Sequence, residues 1–145
     1  MLIAVSNPLN ESPLTFPVFE CIHILGFAFS VGTIAMVDFR LLDLWMTRQT
    51  PSQVARDVAP WTLFGLVAVL LAGSMLFLSD PDMYYTNRSF NFKMVALALA
   101  IVFNYTIHRK AALSDASGSR AKLVACVSLA LWVAVIAGGL FIAFV

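Results

Sequence analysis

The chain has 145 residues, 61% of them hydrophobic and 12% charged, with a formal net charge of +1 and a mean hydropathy of +0.89. Soluble domains average about 45–50% apolar and about 25% charged residues, so a water-soluble enzyme and a disordered chain are both excluded. The near-neutral charge and scattered basic residues form no phosphate-binding groove, which excludes a nucleic-acid partner. What remains is a single integral membrane domain over residues 1–145, with the lipid bilayer as its solvent.

The opening "MLIAVSNPLNESPLTF" has no basic n-region and no small-residue cleavage site, so it reads as a lid or frayed end, not a signal peptide. Four stretches then reach the roughly 20 apolar residues that a crossing helix needs: about 17–45, 61–79, 91–112 and 123–145. The first carries Glu20, His23, Asp38 and Arg40. In the connector that follows, "SQVARDV" is suited to a short interfacial helix. The second span is uncharged and rich in small residues (Gly65, Ala68, Ala72, Gly73, Ser74), followed by Met75. Asp80-Pro81-Asp82 signals a turn. Lys93 stands at one mouth of the third span and His108-Arg109-Lys110 at the other. "SDASGS" reads as a flexible linker. The fourth span holds Gly138-Gly139 and no charge.

Short connectors predict an all-α, four-helix transmembrane bundle of up-down topology. Arg40, Arg48, Arg56, Arg109, Lys110, Arg120 and Lys122 flank the first and third connectors, against Arg88 and Lys93 on the other side. The positive-inside rule then puts both termini on the outer (periplasmic) side of a bacterial inner (cytoplasmic) membrane. Small-residue faces on the second and fourth spans predict a homo-oligomer. Cys21 and Cys126 lie a membrane apart, which excludes a disulfide between them.

Ionisable groups at membrane depth are costly and face the bundle interior, so they are the first candidates for function. At 100° per residue, Glu20, His23, Phe27, Ser30, Ile34 and Asp38 share a stripe of about 80°. Gly26 beside it leaves backbone bare, for a flat ligand or for a closely packed helix. On the third span Lys93, Leu97, Ala100, Asn104 and His108 share a face. His108 lies fifteen residues beyond Lys93, roughly 22 Å deeper. His23 and His108 therefore cannot clamp one metal or one haem. His108 reads as an interfacial residue. Asp38 is expected to meet a basic group of another helix, His108 or Arg109, in a structural clasp. Arg40 is expected to snorkel to lipid phosphates, and Asn104 to hydrogen-bond between helices.

His23 either bonds a neighbouring helix or ligates haem iron or copper through its imidazole. Glu20, one turn away, is placed to orient the ring or relay a proton. The sixth position of a haem would fall to Met75, Lys93, a partner subunit or a substrate. Copper(I) would instead draw on Cys21, His23, Met75, Met83 and Met94.

The segments "HILGFAFSVGTIAMVDFRLL" and "FNFKMVALALAIVFNYTIHRK" resemble the haem-containing membrane protoporphyrinogen oxidases and, more loosely, the copper-resistance D-type membrane domains. Phe29-Ser30 stand where the oxidases carry tryptophan, and Asp38-Phe39 where they carry proline before the arginine. The chain is thus similar to a branch of small four-helix bacterial membrane proteins beside those oxidases. The resemblance implies haem b on His23, a role for Lys93 in activity and a further functional position at Arg40. The residue pattern itself adds Gly26, Phe27, Met75 and Lys93 as the expected surroundings of the cofactor and Glu20 as a second candidate catalytic group. Haem-based electron transfer, or oxidation of a membrane-soluble reductant such as a quinone- or porphyrin-type molecule, is the leading expectation. A membrane protoporphyrinogen oxidase, a copper-handling module and a cofactor-free structural subunit or transporter are the alternatives.

Overall fold

The computed structural model describes residues 7–144. The main elements are α1 (Thr15–Leu41), α2 (Pro51–Ser79), the short α3 (Pro81–Thr86), α4 (Arg88–Leu113) and α5 (Gly118–Leu140). Short 3₁₀ turns, Pro8–Asn10 and Phe141–Phe144, lie before α1 and after α5. Among the described residues there is no strand. Four helices, the last counted through Phe144, are long and apolar enough to cross a membrane. The chain is a multi-pass membrane protein built as an up-down four-helix bundle. Its outward faces carry exposed Leu63, Phe64, Leu71, Val95, Leu99 and Val133, a surface suited to hydrocarbon and not to water.

Capping explains where the helices begin. Thr50 accepts from the Gln53 N–H at 3.2 Å, and the Gln53 side chain accepts from the Thr50 N–H at 2.9 Å, with Pro51 in the first turn. This capping box starts α2 ten residues before the apolar stretch, so the expected interfacial helix is the first part of α2, and Pro60 lies inside it. Asp80 does end α2, yet its carboxylate accepts from the Met83 N–H at 3.1 Å and opens α3. Asn87 accepts from the Phe90 N–H at 3.0 Å and opens α4.

Two hairpins form the bundle, α1 with α2 and α4 with α5, joined mainly through α1 and α5. Gly26 and Gly65 set the first pair. A methyl on Gly65 would stand 2.6 Å from the Gly26 carbonyl oxygen and from the Ser30 nitrogen, so the backbones touch where neither residue has a side chain. The bare patch at Gly26 is filled by α2, not by a ligand. Some of the small residues of the second and fourth spans are likewise used inside the chain. Gly65 and Ala72 of α2 and Gly138 of α5 are buried within the chain, against α1 and α4 in the case of the two glycines.

The helices meet α2 and α4 unevenly. These two approach each other chiefly through Arg109–Leu113, at the end holding the α1–α2 and α4–α5 connectors. That connector end is filled by Val37, Leu41, Val54, Ala112, Ala121 and Ala125. A second cluster of Ile34, Leu66, Leu97, Ala100, Trp132 and Val135 forms a septum across the bundle. Beyond it, toward the chain ends, α2 and α4 part.

The connectors are pinned. Arg40 donates from Nε to the Gln49 carbonyl and from Nη1 to Asp43 at 2.6 Å, closing the α1–α2 loop instead of reaching lipid phosphates. Within the expected flexible linker, Asp115 takes a left-handed conformation (φ +50) and accepts from the Ser52 N–H at 2.9 Å. This bond holds the Asp115 carboxyl below its ordinary range, because the donor favours the charged form. At the opposite end Asn7 and Asn10 donate to the Leu78 and Ser79 carbonyls, a strap over the end of α2. The rest of the expected lid, residues 1–6, lies outside the described residues.

Candidate functional site

Where α2 and α4 part, a half-open cleft of about 1410 Å³ runs into the bundle. Glu20, His23 and Lys93, read from the sequence as one group, all line it. Two histidine-to-lysine features share a common device: each long polar side chain lies on a glycine of the neighbouring helix. A methyl on Gly73 of α2 would stand 3.0 Å from His23 Cε1, and one on Gly139 of α5 would stand 3.4 Å from Lys93 Nζ.

The Gly73 gap lets the imidazole reach backbone. His23 Nδ1 lies 3.0 Å from the Val69 carbonyl oxygen. A carbonyl can only accept, so Nδ1 carries the proton and the neutral ring presents its lone pair at Nε2. No described residue hydrogen-bonds Nε2, and the ring is half-buried in the cleft wall. An imidazole whose first nitrogen is held by a backbone carbonyl is fixed in tautomer and orientation, the usual support of a metal-ligating histidine.

Lys93 runs its stem along Gly138-Gly139, which explains a glycine pair in an otherwise ordinary apolar span. Glu20 is exposed on the cleft rim. Sequence reading missed the aromatic wall and a second cation. Phe77, Tyr84 and Phe90 form a cluster with ring centroids 5.3–6.3 Å apart, and Arg88 lines the cleft with them. Burial first, then the Glu20 and Asp80 charges, push the Tyr84 phenol up, so it stays a neutral donor or acceptor. The "YY" and "F-x-F" of the second connector carry no pattern that marks them as a cleft wall.

Other expected site residues lie elsewhere. Gly26 packs on α2. Phe27 meets Trp132 edge-on at 6.3 Å and belongs to the core around the septum. Met75 is half-buried but does not line the cleft, because it lies two residues round the helix from Gly73. Cys21 is exposed on an outer face. The copper set Cys21, His23 and Met75 is therefore not brought together, although Met83 and Met94 do line the cleft. Among the described residues no group of three or more His, Cys, Asp or Glu is placed to hold a metal ion. Lone axial ligation by His23 needs no such group.

The two histidines do occupy different cavities at opposite ends. His108 is not interfacial: it is 4% exposed. Its Nε2 lies 2.7 Å from Asp38 Oδ1, and Ser128 Oγ donates to Asp38 Oδ2 at 2.8 Å. The expected clasp between the first and third spans is therefore present, with α5 as its third member. Asn104 opens a π turn, Asn104–His108, in which the Arg109 N–H reaches back to the Asn104 carbonyl. Its side chain makes no hydrogen bond to another helix among the described residues and lines a smaller pocket beside His108.

The chain belongs to the DUF6644 family, a family of unknown function, which matches residues 14–145. No curated protein and no solved structure matches it.

Proposed function

We propose that the cleft binds haem b, with His23 Nε2 as the axial ligand, and serves electron transfer or oxidation of a membrane-soluble reductant. One observation carries this reading: His23 is fixed through Nδ1 on the Val69 carbonyl while Nε2 is left open to a cleft of about 1410 Å³. Lys93 and Arg88, both lining that cleft, suit the carboxylates of a porphyrin. Phe77, Tyr84 and Phe90 suit its flat apolar face. Bound haem would supply a one-electron couple. Glu20, at the rim, would hold or pass a proton between the cleft and the aqueous side.

The cleft exceeds the roughly 300–1,000 Å³ of most small-molecule sites. That favours a second reading, a membrane protoporphyrinogen oxidase in which Lys93 grips a substrate carboxylate beside the haem. Counting basic residues supports an orientation with the chain ends and the cleft on the periplasmic side of a bacterial inner membrane.

Protein purified in detergent from haem-replete cells is expected to show a Soret band and a reduced α-band, both lost in His23→Ala and kept in His108→Ala. A colourless wild type refutes the haem reading, and loss in His108→Ala but not His23→Ala assigns the ligand to the wrong end. Rescue of a strain lacking its porphyrinogen oxidase, abolished by Lys93→Ala, would separate the enzyme from a plain cytochrome.

A further inference from the structure

At the connector end, α1, α2 and α4 enclose a second pocket of about 220 Å³ that the haem reading does not use. Its walls are apolar apart from a few groups. Of these, His108 decides its chemistry.

A carboxylate only accepts hydrogen bonds. Asp38 spends Oδ2 on the Ser128 hydroxyl and Oδ1 on His108 Nε2, so Nε2 carries the proton and the neutral ring keeps its lone pair at Nδ1. No described residue hydrogen-bonds Nδ1, although the side chain is 4% exposed and lines the pocket. Asn104 lines it too, 8% exposed, with no hydrogen bond from its amide among the described residues. Asn104 and His108, four apart, share a helix face, and the π turn Asn104–His108 spans both. Such turns occur often at functional sites. A ring lone pair and an amide, both on largely buried residues that line the pocket and both without protein partners, suit a ligand that donates and accepts.

The opening of the pocket selects the kind of molecule. Leu63 and Tyr105 line it and are exposed on the outer faces of α2 and α4, so entry is from the hydrocarbon of the bilayer. The volume lies below that of a drug-sized site, which leaves space for one ring, with any tail staying in the lipid. We propose that this pocket binds the head group of a lipid-soluble quinol, its ring hydroxyl donating to His108 Nδ1 and Asn104 holding a second oxygen. The Asp38–His108 arrangement makes Nδ1 an acceptor, so the reduced quinol is favoured over the quinone, whose oxygens only accept.

The proposal is independent of haem and of His23. Its test is calorimetric titration, under anaerobic conditions, of duroquinol and duroquinone into the full chain in detergent micelles, referenced to empty micelles. Saturable binding of duroquinol is expected, with duroquinone weaker by about tenfold, the loss that follows an unmet buried hydrogen bond. Ala59→Phe fills the pocket without altering any of the three hydrogen-bonded residues, and should abolish binding. Asn104→Leu should weaken it, and His23→Ala should leave it unchanged. Unfolding in SDS, followed by circular dichroism, establishes that each variant is folded. Absence of saturable binding to wild type means that the pocket holds only water and overturns the proposal. Retention of binding in both Ala59→Phe and Asn104→Leu, or its loss in folded His23→Ala, does the same.

Discussion

Replacing Gly65 with alanine tests the contact on which the first hairpin depends. The new Cβ would lie 2.6 Å from the Gly26 carbonyl oxygen, 2.6 Å from the Ser30 nitrogen and 3.0 Å from Phe29 Cβ. Two of these three atoms are backbone of α1 and cannot rotate away. Carbon contacts settle at about 3.5–4.0 Å, so the helices must part by roughly 1 Å, and a gap of that size forfeits a quarter to a half of each neighbouring dispersion contact. Overpacking of this kind costs about 1–3 kcal/mol. α1 and α2 form the most extensive helix pair of the bundle, so the loss spreads along both. Gly32→Ala is the control, because a methyl there meets nothing within 4 Å. It should be neutral or stabilising by up to about 1 kcal/mol, as expected for alanine over glycine in a helix. Unfolding in mixed micelles by rising SDS mole fraction, read by far-ultraviolet circular dichroism, measures both. If Gly65→Ala unfolds at the same SDS fraction as Gly32→Ala, the close approach of α1 and α2 is wrong.

Asp38→Leu strands the His108 and Ser128 donors and should cost about 3–5 kcal/mol in the same assay. Asp38→Asn keeps one acceptor and faces its amide to a serine that can rotate to accept, and should cost about 1 kcal/mol. Asn87→Ala removes the cap on α4 and the bond from its amide to the Ile142 carbonyl. A loss of about 1 kcal/mol and faster amide exchange at Phe90 are expected. Asp115 gives a pH signature. Its folded carboxyl titrates below the ordinary value of about 3.9, so its contribution is present above that value and disappears as pH falls through the folded value. Wild type should therefore exceed Asp115→Asn, which keeps an acceptor oxygen and tolerates the left-handed backbone, in melting temperature at neutral pH and converge with it in acid, and a gap that persists unchanged in acid would refute the assignment.

The spans were legible because hydrophobic runs and punctuating Pro, Asp and Gly act locally. So were the depths, since a fixed rise per residue puts His23 and Lys93 near one end and Asp38 and His108 near the other. Helix boundaries were less so where capping competes with hydropathy: Thr50, Pro51 and Gln53 begin α2 well before any apolar residue run does. What could not be read was which small residue serves which neighbour. Gly26, Gly65, Gly73, Gly138 and Gly139 look alike in sequence, yet the first two join backbones while the other three seat His23 and Lys93. Phe27 and Met75 fell on plausible positions, but packing assigned Phe27 to Trp132 and turned Met75 away from the cleft. No residue in "NYTIH" announces the π turn at Asn104.

Polar groups inside a bilayer are expensive when unmet, and the way this chain meets them separates scaffold from site. Asp38 is fully buried with both oxygens engaged, Ser128 gives its hydroxyl, and Thr33 and Thr62 hydrogen-bond each other at 2.7 Å. Such groups are complete without a ligand. His23 and His108 differ in the same respect: each has one ring nitrogen held by the protein, Val69 in one case and Asp38 in the other, and one left toward a cavity. Their holders are not equivalent. A carbonyl holds the His23 ring through Nδ1 and leaves Nε2, whereas a carboxylate holds the His108 ring through Nε2 and leaves Nδ1. The first arrangement suits a metal, the second a hydroxyl proton. Between them Ile34, Leu66, Leu97, Ala100 and Trp132 offer no polar atom in their side chains except the indole N–H. The septum thus separates the two cavities, and each proposal is open to assay by a variant that leaves the other cavity intact.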